Sequence, residues 1–101
     1  MPFNLRLKNY MVFASIFKLN KGERRFIRWR DFTRAMDHVG FDYCKEPGTM
    51  RVFKSRSLEL KSSLHWREPK DGVLTPRDQK DLAAKMTERL AWKAASFKLQ
   101  N

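Results

Sequence analysis

The sequence predicts an α+β domain in the order α-α-β-β-β-α, with a three-stranded antiparallel sheet packed on helices. Three features lead there: two segments with apolar residues at helical spacing, a switch to alternation after Gly40, and a helix start at Thr75-Pro76. At 101 residues the chain is one domain at most. A chain of this size buries roughly 60–65% of its unfolded surface, enough for a single core. Hydrophobic residues make up 42% and aromatic residues 13%, a richer supply than a disordered chain carries.

Residues 7–19 read as an amphipathic helix, with Tyr10, Phe13, Ala14 and Phe17 at i, i+3, i+4 and i+7. Asn20-Lys21-Gly22 should end it, because glycine takes a positive φ without strain. Residues 23–28 then form a basic connector. A second helix should run from Trp29 to Val39, with Trp29, Phe32, Ala35, Met36 and Val39 on one stripe. Asp31 in its first turn suits the positive end of the helix dipole, and Gly40 suits the position just past its end.

The period then changes to two. Phe41, Tyr43 and Lys45 alternate with Asp42 and Cys44, which is a strand pattern. Glu46-Pro47-Gly48-Thr49 has the proline and glycine that a type II turn requires, and Met50 to Phe53 returns as the partner strand. Residues 54–57 read as a polar turn, and Leu58 to Trp66 as a third strand with Leu58, Leu60, Leu64 and Trp66 in one phase. After a loop over 68–72, Thr75 is the N-cap of the last helix, with Pro76 at N1 and Asp78 closing a capping box. Leu82, Met86 and Leu90 carry that helix to about Trp92. These segments agree on one core: Trp29, Phe32, Met36, Phe41, Phe53, Leu64, Trp66, Leu82, Met86 and Trp92.

Charge is the second strong signal. Twenty-two Lys and Arg against eleven Asp and Glu leave a net +11, which attracts polyanions whatever the fold. The excess is clustered: residues 1–30 carry +7, residues 31–50 carry −2 and residues 51–101 carry +6. A single cysteine, Cys44, cannot form an internal disulfide, and its expected role is a small buried hydrophobe on a strand. The longest apolar run, Tyr10 to Phe17, is too short to span a bilayer and is followed by no cleavage-site pattern. The placement this suggests is intracellular, cytoplasmic or nuclear, with no membrane. No metal-ligand spacing, phosphate-binding glycine loop or nucleophile–histidine arrangement appears, so no cofactor is expected.

The candidate binding residues are basic. Lys21, Arg24, Arg25, Arg28 and Arg30 cluster between the first two helices, while Arg51, Arg67 and Lys70 decorate the sheet and its loops. Arg51 is out of phase with Val52 and Arg67 with Trp66, which suggests one shared polar face. Phosphate contacts from such a surface would position RNA without reading its sequence. A solvated face with no partner is an equally good account of the same residues. Trp29, Trp66 and Trp92 have the chemistry to stack on bases, but each falls on an apolar stripe, so core packing is preferred. His65 is turned away from Leu64 and Trp66 by alternation and reads as an exposed strand histidine. His38 is given no catalytic role.

The ordered motifs carry a resemblance. Trp29, Asp31, Phe32, Ala35, Met36, Gly40 and Phe41, then Lys45, Gly48, Thr49 and Phe53, follow the spacing of the C-terminal domain of fungal ipa-like proteins. Ser63, Leu64, Trp66 and Pro69, and finally Leu90, Ala91, Trp92 and Phe97, continue it, with Val12, Phe13 and Phe17 matching a segment upstream. Those domains are similar in layout to HicA, a small mRNA-cleaving toxin with a fold like that of double-stranded-RNA-binding domains. The resemblance implies an N-terminal helix and connector over 1–28 and a HicA-like domain over 29–97. It also places the family's histidines at Arg67 and Lys70, and the HicA catalytic histidine at Met50. Imidazole passes a proton near neutral pH, whereas methionine cannot and arginine and lysine hold theirs too tightly. The expectation is therefore a degenerate copy: an RNA-binding module without catalysis. The alternatives are a protein-interaction remnant of a larger fungal protein, docking through its N-terminal helix, and a weak residual ribonuclease using His65.

Overall fold

A computed structural model of the chain describes residues 3–19, 24–57 and 63–100. Its elements, in order, are β1 (Phe3–Leu5), α1 (Leu7–Ile16), β2 (Ile27–Arg28), α2 (Trp29–His38), β3 (Phe41–Lys45), β4 (Met50–Ser55), β5 (Ser63–Arg67), β6 (Val73–Leu74), α3 (Pro76–Leu90) and β7 (Phe97–Leu99). The three helices and the antiparallel β3-β4-β5 sheet are those expected from periodicity. Two short pairings frame them, β1 with β7 in parallel and β2 with β6 antiparallel, and neither has an alternation long enough to read in sequence.

One face of the sheet is apolar. Tyr43 is paired with Phe53, and Phe53 with Leu64, so these side chains share a face. Trp29 and Phe32 of α2 meet Phe53 edge-on, with ring centroids 5.8 and 5.3 Å away. Edge-to-face contacts of this kind add to the burial of the rings. Every residue of the expected core belongs to one hydrophobic cluster, with Trp66 at its margin, only partly buried. The reason is its place on the edge strand β5, where Lys85 of α3 lies over its ring at 5.7 Å.

Helix α1 belongs to the same cluster, and the division at residue 28 is no boundary in packing. Val12, Phe13, Ala14 and Ile16 are buried. Phe13 stacks on Phe97 at 4.4 Å, a contact supplied by the parallel β1–β7 pair that brings the two ends of the chain together. The helix also ends earlier than expected. Lys18 takes a left-handed φ of 53°, and the Leu19 N–H donates to the Ala14 carbonyl at 2.8 Å, closing the last turn before residue 20. The glycine terminator expected at residues 20–22 lies outside the described residues.

Other boundaries shift for local reasons. Strand β4 continues through Lys54 and Ser55, expected as a turn, because they pair with Asp42 and Phe41. Arg56 then clamps the end of this hairpin, donating to Asp42 at 2.7 Å and to Asp37 and the Phe41 carbonyl at 3.0 Å. The hydrogen bond to Asp42, followed by that to Asp37 and opposed by desolvation, raises the Arg56 pKa above its ordinary value. Leu58 and Leu60 of the expected third strand lie outside the described residues. Helix α3 starts as read, with Asp78 N–H donating to Thr75 Oγ1 at 3.2 Å and Thr75 N–H to Asp78 Oδ2 at 3.1 Å. It stops at Leu90 because Ala91 adopts a left-handed φ of 58°, which turns Trp92 back into the core.

Cys44 corrects one expectation. It is paired with Val52 on the face of the sheet turned away from Phe53 and Leu64, and is only half-buried. No helix among the described residues is long and apolar enough to cross a membrane.

Candidate nucleic-acid interface

The loop after β5 is the frame of the first candidate site. Glu68 N–H donates to the Thr49 carbonyl at 2.8 Å, tying this loop to the β3–β4 turn. Gly72 supplies the carbonyl that accepts from Trp29 N–H, also at 2.8 Å, and so joins the loop to the start of α2. The Glu68 carboxylate is shared: Tyr43 Oη donates to it at 3.2 Å and Arg51 Nε at 2.9 Å. Trp29 Nε1 in turn donates to Tyr43 Oη at 3.1 Å. A charged acceptor holding several donors is the strongest arrangement these groups can make.

Arg51 is thereby removed from the set of free phosphate ligands. Its Nη1 also donates to the carbonyls of Gly48 and Met50, both at 2.9 Å, and its side chain is 13% exposed. Register explains the difference from the sequence-based expectation. Arg51 pairs with Trp66, whereas Arg67 pairs with Met50, so the two arginines lie on opposite faces of the sheet. Reading Arg51 against Val52 and Arg67 against Trp66 failed because Trp66 and Arg51 share the inner face.

Arg67 and Lys70 remain exposed and line one cavity of about 310 Å³ with Thr49, Trp66, Glu68, Pro69 and Asp78. Neither has a carboxylate within ion-pairing distance among the described residues. Glu68 is held by Arg51 and Tyr43, and Asp78 by the cap of α3, so both acids in the lining are already engaged. The pairing of Met50 with Arg67 and the shared cavity of Arg67 and Lys70 bring together all three positions that the resemblance gives to histidine. The side chains there can hold an anion. None of the three can act as a base near neutral pH.

The connector cluster divides. Lys21 lies outside the described residues. Arg24 Nε donates to the Ile16 carbonyl at 3.2 Å, so it caps the C-terminal end of α1. Arg30 is exposed on α2 and lines neither this cavity nor the next. Arg25 and Arg28 are exposed and line a second cavity of about 220 Å³ between α1 and β2. The β2–β6 ribbon connects the two places: Arg28 pairs with Val73, so the loop bearing Lys70 runs into the ribbon at the end where Arg28 stands.

Trp29 and Trp92 are buried at 6% and 5% exposure and present no face for stacking. His65 is exposed on the outer face, 3.9 Å from Glu46, and does not line the cavity that holds Arg67 and Lys70. Two residues went unnoticed in the sequence. Gln79 is the one buried polar side chain among the described residues, and Phe26 is a large hydrophobic side chain left 68% exposed. Gln79 gives no sequence signal beyond its place on the apolar side of α3. Phe26 does give one: it alternates with the inward Ile27 and sits between arginines. No group of three or more His, Cys, Asp and Glu among the described residues is placed to hold a metal. Comparison with protein-family models, curated proteins and solved structures finds no match to this chain.

Proposed function

We propose that the protein is a non-catalytic RNA-binding module that grips phosphates through a basic surface on a degenerate HicA-like, double-stranded-RNA-binding-domain-like fold. The observation that carries this reading is the exposed Arg67–Lys70 pair. Both cations line one cavity, free of carboxylate partners among the described residues, on either side of Glu68, which is tied to the β3–β4 turn and to Arg51. Two exposed cations lining one cavity suit a phosphate backbone and require no base-specific chemistry. The convergence of Met50, Arg67 and Lys70 supports the resemblance, and their chemistry supports the loss of catalysis. The +11 charge adds long-range attraction for any polyanion.

An electrophoretic shift with generic double-stranded RNA at rising salt tests this. Phosphate contacts from Arg25, Arg28, Arg67 and Lys70 imply a log–log slope of roughly −3 to −4. Arg67→Ala with Lys70→Ala should weaken binding alike for unrelated sequences and make the slope shallower by about one unit for each phosphate no longer engaged. The RNA should be recovered uncut. Cleavage that disappears with His65→Ala would favour the residual ribonuclease. A flat salt response, or no binding at low ionic strength, would favour the protein-interaction module.

A further inference from the structure

We infer that Phe26 is a stacking platform for an unpaired base, and that the protein therefore takes RNA with a single-stranded segment lying next to its phosphate-gripping loop. The inference rests on the RNA-binding reading above and names the part of the substrate that reading leaves open.

Exposed aromatic side chains are common on protein surfaces, so exposure alone would mean little. Two things set Phe26 apart. Its outward position is imposed by the fold: Ile27 and Trp29 are buried at 6% exposure each, and alternation along the segment leaves Phe26 and Arg28 on the other side. Its surroundings are cationic as well. Lys8, Arg25 and Arg28 line the same cavity of about 220 Å³, and among the described residues Asp31 is the only acid in that lining. None of these three cations has an ion-pair partner among the described residues. An apolar ring rimmed by unpaired positive charge is complementary to a nucleotide, whose flat base stacks while its phosphate meets the cations. An apolar protein surface would instead leave those charges desolvated and uncompensated.

The location gives the substrate class. Arg28 is opposite Val73 in the β2–β6 ribbon, three residues beyond Lys70, so the strand that follows Phe26 is joined through that ribbon to the loop that carries Lys70. A paired duplex keeps its bases stacked on one another and offers none to Phe26. A strand end, bulge or loop offers one while its flanking phosphates reach the basic loop.

Binding of an unstructured single-stranded oligonucleotide and of a blunt duplex of equal length should be measured across a salt series. Both should be read for the full chain and for Phe26→Ala, Phe26→Trp and the Arg67→Ala/Lys70→Ala pair. Stacking on one aromatic contributes roughly five- to 150-fold in affinity. Phe26→Ala is therefore expected to weaken single-strand binding at least about fivefold, with its salt slope and the duplex affinity unchanged. Phe26→Trp should restore the single-strand affinity. Single-strand binding that Phe26→Ala leaves intact, or an equal loss on both RNAs, overturns the platform. Failure of the wild-type protein to bind either RNA overturns the RNA-binding reading itself, and retained duplex binding with an indifferent Phe26 overturns this inference alone.

Discussion

Replacing Gln79 by leucine, an apolar side chain of comparable size, removes hydrogen bonds while largely preserving packing. Gln79 is fully buried at the start of α3 and connects three other segments. Its Nε2 donates to the Leu74 carbonyl of β6 at 3.0 Å and to the Arg25 carbonyl of the connector, and its Oε1 accepts from Ser15 of α1 at 2.6 Å. Three intramolecular bonds contribute about 1 kcal/mol each in net terms. The extra apolar burial of leucine offsets part of this, while a carbonyl left without a donor in the interior adds to the cost. Arg25 keeps one partner, since the Ser15 hydroxyl, released from Gln79, stands 3.2 Å from its carbonyl and donates its one proton there. The expected loss is about 2–3 kcal/mol, which for a domain of this size lowers Tm by roughly 8–24 °C. Thermal unfolding followed by circular dichroism measures it, with urea unfolding as a second reading of the same free energy. A Tm within about 4 °C of the parent protein would refute the assignment of Gln79 as the junction of α1, the connector and β6.

Arg51→Ala should act on stability, unfolding the domain about 2 kcal/mol more easily by freeing the Glu68 carboxylate and two turn carbonyls. Arg51→Lys should recover little of that in urea, because an ammonium cannot reproduce the planar fork that meets Glu68 and the turn together. Ala91→Gly should raise stability by roughly 0.5–1 kcal/mol, because the φ of 58° at this exposed helix end strains alanine and not glycine, and the Tm rise reports it.

Those variants mark where sequence reasoning worked and where it stopped. The helices and the three-stranded sheet were legible because each carries a period, and a period reports which side of a single element is apolar. Thr75, Pro76 and Asp78 were legible because a capping box is made within four consecutive residues. Arg51 was misjudged because its role depends on the register of β4 against β5 and on Glu68, seventeen residues away, which no local pattern reports.

By itself the sequence determined the three helices, the antiparallel sheet, the apolar residues they bury and the excess of positive charge, because these depend on side-chain chemistry and short-range spacing. Tertiary structure decided which charges are free. It engaged Arg24 and Arg51 on carbonyls and a carboxylate and left Arg25, Arg28, Arg67 and Lys70 exposed. It also joined the chain ends through the β1–β7 pair and turned Phe26 outward beside Arg28. The physical reason is common to all of these. A cation or an aromatic ring is available to a ligand only when no other part of the same chain satisfies it first, and the competing groups are distant in sequence.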